Sequence, residues 1–203
     1  MVEAVTLGAF ALTSLLIELT PGPNMAYLAL IAATEGRRAG FAAVAGVALG
    51  LAIVGLAAAL GLAALIDRSD LAYQVLRWTG IGYLVWLAWE AWRGADGDGS
   101  QAALGSPLRL YFRRGLVTNL LNPKAALFYV AVLPGFLTPG AAVTETVTLS
   151  AVYVAVATGV HGMIVAAAGL AQGWLADPAR VKPVQRGLGL ALLAVAGWVA
   201  WKT

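Results

Sequence analysis

Two short polar stretches interrupt an otherwise apolar chain, and both carry residues able to do chemistry. The first is Thr20-Pro21-Gly22-Pro23-Asn24, with Glu18 just ahead of it. The second is Asn122-Pro123-Lys124, with Asn119 three residues before Asn122 and therefore on the same helical face. A carboxylate or an ammonium is costly in hydrocarbon, so such groups pair with each other or face a polar cavity. One reading of Glu18 and Lys124 is thus a structural ion pair. In the other, Glu18 takes a substrate amine or a proton, while Lys124 and the ends of interrupted helices hold a carboxylate. Half-helix N-termini suit that task because they carry free N–H groups and a positive dipole end. His161, the single histidine, titrates near neutrality and is a second proton-coupling candidate beside Glu18. It would serve equally as a helix-packing residue. The expected substrate-binding set is Glu18, Pro21, Gly22, Pro23, Asn24, Asn119, Asn122, Pro123 and Lys124. No catalytic residue, metal site or cofactor is expected.

The elements that hold these residues follow from composition. Of 203 residues, 61% are hydrophobic and 11% charged, against roughly half and about a quarter in a soluble domain. So few charges cannot cover a water-exposed surface, and the chain reads as an all-α polytopic membrane protein. A spanning helix needs about 20 mostly apolar residues. Six such runs occur: Val5 to Ala33, Ala39 to Ile66, Leu71 to Trp92, Gly115 to Leu137, Thr146 to Leu175 and Val184 to Trp201. The amino terminus lacks the positive n-region of a secretory signal, so its first apolar stretch should be retained. With no cysteine there is no disulfide or thiol chemistry.

Proline removes a backbone donor and clashes with the preceding turn, so the first and fourth runs should be kinked or broken. Pro23 and Pro123 stand 100 positions apart and open corresponding three-helix halves, residues 1–93 and 110–203. Residues 94–109 between them, beginning Gly94-Ala95-Asp96-Gly97-Asp98-Gly99-Ser100, read as a cytoplasmic linker. A three-helix unit repeated once must insert its second copy upside down. Paired interruptions in such an inverted repeat point to a transporter site near the midplane. Nine Lys and Arg fall on one side of the membrane: Arg37, Arg38, Arg93, Arg109, Arg113, Arg114, Arg180, Lys182 and Arg186. That side should be cytoplasmic, which puts both termini outside. These arginines read as solvated loop residues. Gly46 and Gly50 form a GxxxG, suited to close helix packing inside one chain or between two copies in a homo-oligomer.

These residues resemble the LysE/RhtB superfamily of bacterial amino-acid exporters. The resemblance lies in Thr20-Pro21-Gly22-Pro23-Asn24, Gly36-Arg37-Arg38-Ala39-Gly40, Gly46 and Gly50, then Gly82-Tyr83-Leu84 and Trp86. In the second half it lies in Gly115, Asn119-Leu120-Leu121-Asn122-Pro123-Lys124-Ala125, Phe128 and Leu133-Pro134. The resemblance implies a secondary exporter of amino acids or their derivatives in the bacterial inner membrane, driven by the proton gradient. It makes the two breaks the substrate-facing pair, with Asn119 as a polar lining residue. The chain departs from the family at Gly135, where glutamine is common, and at Asn24, where many members carry aspartate. Glu18 matches no family-wide acid, so it either replaces that charge or defines a distinct substrate.

Other classes find less support in the residues. A divalent metal cation exporter would need several oxygen ligands, and only Glu18 lies deep in a span. An intramembrane enzyme needs a nucleophile placed beside a base, and no motif does that for Ser14 or Ser150. A passive pore would be excluded by gradient-dependent uphill flux. The expected partners are a small-molecule amino compound and the bilayer, with no nucleic acid.

Overall fold

The computed structural model describes residues 3–20, 22–61, 69–96, 107–138, 143–172 and 178–202. Among these residues the protein is all-helical, with eight α-helices and no strand. They are α1 (Ala4–Glu18), α2 (Pro23–Thr34), α3 (Arg37–Ala59), α4 (Asp70–Asp96), α5 (Leu108–Leu120), α6 (Pro123–Leu127), α7 (Val143–Ala168) and α8 (Pro178–Lys202). A π-helical turn, Phe128–Val132, and a 3-10 turn, Leu133–Phe136, continue α6.

The first expected run is therefore two helices, and so is the fourth. Each proline sits at the first position of a new helix, where its missing N–H costs nothing and its fixed φ suits helix entry. The axes of α1 and α2 diverge by 63°, and those of α5 and the Pro123–Phe136 segment by 51°. Between α2 and α3 the chain turns through Gly36 at φ 90°, a left-handed value that favours glycine.

Helix α5 starts at Leu108, not Gly115, which places Arg109, Arg113 and Arg114 on its first turns and the break in mid-element rather than early. Helix α8 likewise takes in Arg180, Lys182 and Arg186. A search for apolar runs stops at charges, whereas arginine stems can lie along a helix with their heads extended. Arg114 stacks over the Trp86 ring at 5.6 Å. Arg37 also departs from a loop role, donating at 3.1 Å to the Ala166 carbonyl in the last turn of α7. Helix takes up both ends of the stretch read as a linker, and residues 97–106 lie outside the described residues.

By length and composition, α3 and α7 can each cross a membrane. Counting each bent pair as one span makes four. Among the described residues, the six-span expectation thus stands at two to four.

Large apolar side chains face outward while several polar ones join an apolar core. Leu12, Leu16, Ile53, Leu56 and Met163 are exposed, whereas Ser14, Glu18, Asn24, Asn119, Asn122 and His161 are buried. Phe10, Ser14 and Glu18 recur every fourth residue, so one face of α1 turns inward, onto α7. Helix α4 packs on α8, and α2 lies against α3, α7 and α8.

The closest seam joins α3 to α5. A Cβ on Gly46 would collide with the Phe112 carbonyl, and one on Gly115 with the Ala43 carbonyl. Gly50 faces the Asn119 side chain, where a Cβ would come within 2.8 Å of Nδ2. The GxxxG is thus used inside the chain. In lipid, where helices gain little from apolar burial, such backbone approach supplies the van der Waals contact that holds them together.

Candidate functional site

Glu18 closes α1 and is 4% exposed, with its carboxylate turned toward α7 and α6. Its Oε1 accepts a hydrogen bond from the Tyr153 hydroxyl at 2.7 Å. Its Oε2 lies 3.3 Å from His161 Nε2, near enough for charge pairing although off hydrogen-bond alignment. His161 Nδ1 has no hydrogen-bond partner among the described residues, and neither has the buried Thr158 hydroxyl one turn before it. Lys124 Nζ stands 4.0 Å from Glu18 Oε1, at the outer limit of an ion pair. Its shorter contact is a hydrogen bond donated to the Thr20 carbonyl at 2.8 Å. Lys124 therefore caps the C-terminal end of α1, where cations are favoured, more closely than it neutralises Glu18.

The two breaks are built differently. Asn122 caps the second: its side-chain Oδ1 accepts from the Lys124 backbone N–H at 3.0 Å, as an N-cap residue should. The first is capped by Gly22, which has no side chain to offer, so among the described residues no side chain caps the opening amides of α2. Glycine at 22 also lets the Lys124 stem lie across the break, since a Cβ there would sit 3.2 Å from Lys124 Cδ. Asn24, just after Pro23, donates through Nδ2 to Asn119 Oδ1 at 2.9 Å. Asn24 Oδ1 and Asn119 Nδ2 are left buried without a partner among the described residues.

Glu18, Gly22, Asn24, Met25, Asn122, Lys124 and His161 line one small cavity, whose free volume of about 10 Å³ holds about one water. The cavity is small but not sealed, and it leaves the Lys124 side chain part-exposed. Next to it lies an aromatic cluster. Phe128, in the π-turn after the second break, stacks on Tyr153 at 3.6 Å, and Phe10 of α1 packs edge-on against Phe128 and Phe136. π-turns of this kind recur at functional sites.

Of the expected site residues, Glu18, Gly22, Asn24, Asn122, Lys124 and His161 meet at the cavity. Asn119 joins through Asn24, Pro23 and Pro123 start the two half-helices, and Pro21 lies outside the described residues. Sequence reading missed Tyr153, Met25 and the Thr20 carbonyl. Tyr153 lies eight residues before His161, a spacing that keeps both within one broad stripe of α7. Among the described residues, no three His, Asp or Glu side chains are grouped to hold a metal ion.

Comparison with known proteins places the chain in a family. The family profile of LysE type translocators matches residues 15–203. The homoserine/homoserine lactone efflux protein of Salmonella typhimurium is 31% identical over 198 residues, spanning 95% of this chain and 94% of that protein. The leucine efflux protein of Klebsiella pneumoniae is 35% identical over 133 residues, 62% of this chain and 63% of that one. A Vibrio cholerae protein described as an uncharacterized membrane protein is 32% identical over 139 residues, 64% of each chain. No solved structure matches. On the family match and the full-length relative, this chain belongs to the LysE type translocators.

Proposed function

We propose that this protein is a secondary active exporter of amino acids or amino-acid derivatives in the bacterial inner membrane, driven by the proton gradient. The observation that carries the reading is the convergence of Glu18, Lys124 and His161 on one cavity at the junction of two broken apolar helices. Efflux relatives named for homoserine, homoserine lactone and leucine support the substrate class. All three compounds carry an ammonium group on the carbon next to a carbonyl. Glu18 would take the ammonium, while Lys124 and the first amides of α2 would take the carbonyl or carboxylate oxygens. Glu18 and His161 would carry the coupling proton, with Pro21 to Asn24 and Asn119 to Lys124 as the two substrate-facing walls.

The architecture we propose is six spans in a 3+3 inverted repeat, residues 1–93 and 110–203, with the arginine-rich side cytoplasmic and both termini outside. Three of the helix pairings support it, since a two-fold exchange of the halves carries them onto counterparts or onto themselves. The α3–α5 seam corresponds to α7 against α1 and α2, and the α3–α7 and α4–α8 pairs each map onto themselves. Among the described residues, α2–α3 and α2–α8 lack counterparts of similar extent. A cavity with room for about one water admits substrate only after rearrangement. Alternating access therefore requires the walls of this cavity to separate toward one side at a time.

The test is flux in proteoliposomes under an imposed pH gradient, with leucine, homoserine, homoserine lactone and a divalent cation as solutes. Gradient-dependent accumulation of an amino compound is expected. Cation movement without amino-compound flux would overturn the reading.

A further inference from the structure

The residue after each proline braces the opposite broken helix, and the two braces differ in chemistry. Asn24 donates to the Asn119 side chain, a neutral amide pair whose partners are both buried. Lys124 donates to the Thr20 carbonyl, and its ammonium is part-exposed on the cavity wall. A charged donor gains more from an anionic acceptor than from a neutral backbone carbonyl, so the second brace is open to competition and the first is not. The attachments of α1 make this consequential. Helix α1 packs along α7, to which the Glu18–Tyr153 bond also ties it. Toward the second broken helix it is held by Lys124 at its C-terminal end and by Phe10 against Phe128 and Phe136 nearer its start.

We infer that Lys124 is the substrate sensor of this cavity: an oxygen acceptor on the substrate takes Lys124 from the Thr20 carbonyl and frees the C-terminal end of α1, still seated on α7, from the second broken helix, while Phe10 keeps its contacts nearer the helix start. Asn24–Asn119 meanwhile keeps α2 tied to α5. The identity of the substrate rests on the proposed export of amino compounds; the brace does not. A ligand shifts a conformational balance only through interactions that differ between the two states. Here that interaction is the bond to Lys124, available once Thr20 has let go. A ligand with an ammonium group alone occupies Glu18 and leaves α1 in place.

The chain contains no cysteine, so introduced cysteine pairs can be spin-labelled without background. Leu16→Cys on α1 with Val117→Cys on α5 measures the movement, and Leu16→Cys with Met163→Cys on α7 is the reference; all three positions are exposed. In nanodiscs without substrate, Lys124→Gln should add a second distance population to the first pair and leave the second pair unchanged. Lys124→Arg, which keeps the charge and donors, should resemble the wild type. Lys124→Met, which keeps the stem over Gly22, stands in if the glutamine variant does not fold. Leucine should produce the new population in the wild type, and 3-methylbutylamine, which is leucine without its carboxylate, should not.

Unchanged distances in the glutamine and methionine variants would overturn the brace. An equal response to leucine and 3-methylbutylamine would overturn the sensing, as would export of leucine with no distance change. A shift in Lys124→Gln, with neither leucine nor homoserine exported or shifting the wild type, would leave the brace standing and sink the amino-acid reading.

Discussion

The carboxylate of Glu18 and the hydroxyl of Tyr153 meet at 2.7 Å although 135 positions separate them in the chain. That bond joins the end of α1 to the middle of α7. Through the Tyr153 ring stacked on Phe128, it also reaches the π-turn that follows the second break. The acid nearest the first break is therefore oriented by a side chain that packs on the second.

Removing the hydroxyl while keeping the ring isolates this contact. Tyr153→Phe should lower stability by about 1.5–3 kcal/mol, the range for hydrogen bonds to charged groups. Tyr129→Phe, which loses a bond to the neutral Leu51 carbonyl, should cost about 1 kcal/mol. Reversible denaturation in mixed micelles measures both. Equal losses would mean that the charge on Glu18 adds nothing to the bond.

The two ionisable walls of the cavity should be separable from folding. Lys124→Ala is expected to abolish export while normal amounts of protein reach the membrane. Glu18→Gln should stop export or uncouple it from the gradient. Flux normalised to membrane protein decides the matter. Wild-type export by Lys124→Ala would remove Lys124 from substrate binding, and loss of folded Glu18→Gln would assign Glu18 a structural pairing instead.

Glycine substitutions should divide sharply by position. Gly46→Ala drives a methyl into the Phe112 carbonyl and should cost about 1–3 kcal/mol, the usual penalty for overpacking. Gly82 has no atom within 4 Å of a would-be Cβ, so Gly82→Ala should stay within about 0.5 kcal/mol of wild type. Thermal melting of the two purified variants makes the comparison.

The Asn24–Asn119 amide pair invites a double-mutant cycle with alanine at both positions. Side-chain hydrogen bonds inside membrane proteins couple by about 0.6 kcal/mol on average, with about 1.7 as a maximum. The two amides are buried, so a coupling in the upper half of that range is expected. Strict additivity of the single variants would show that the pair is not a brace.

Much of this site was legible because its signals are local. Proline beside polar residues in an apolar run announces a break whatever surrounds it, and Glu18, Lys124 and His161 stand out because charge is so costly there. Tyr153 was not legible, since a tyrosine in an apolar helix reads as packing until it is known that α1 lies on α7. The Thr20 carbonyl was invisible for a plainer reason: a backbone acceptor has no signature in residue type. The start of α5 was misjudged because Arg109, Arg113 and Arg114 ride on a helix that charge counting assigns to a loop.

Among the described residues, the tryptophans face outward and most tyrosines are enclosed. Trp78, Trp86, Trp89, Trp92 and Trp201 all face outward, whereas Tyr27, Tyr129 and Tyr153 are enclosed, two of them beside Glu18 or the ring packed on it. Emission from these five indoles therefore reports on the outer surface and is open to quenchers carried on acyl chains. Phenol absorption and vibrational bands report on the interior. These indoles and enclosed phenols provide separate optical channels, one for the surface and one for the interior, without any added label.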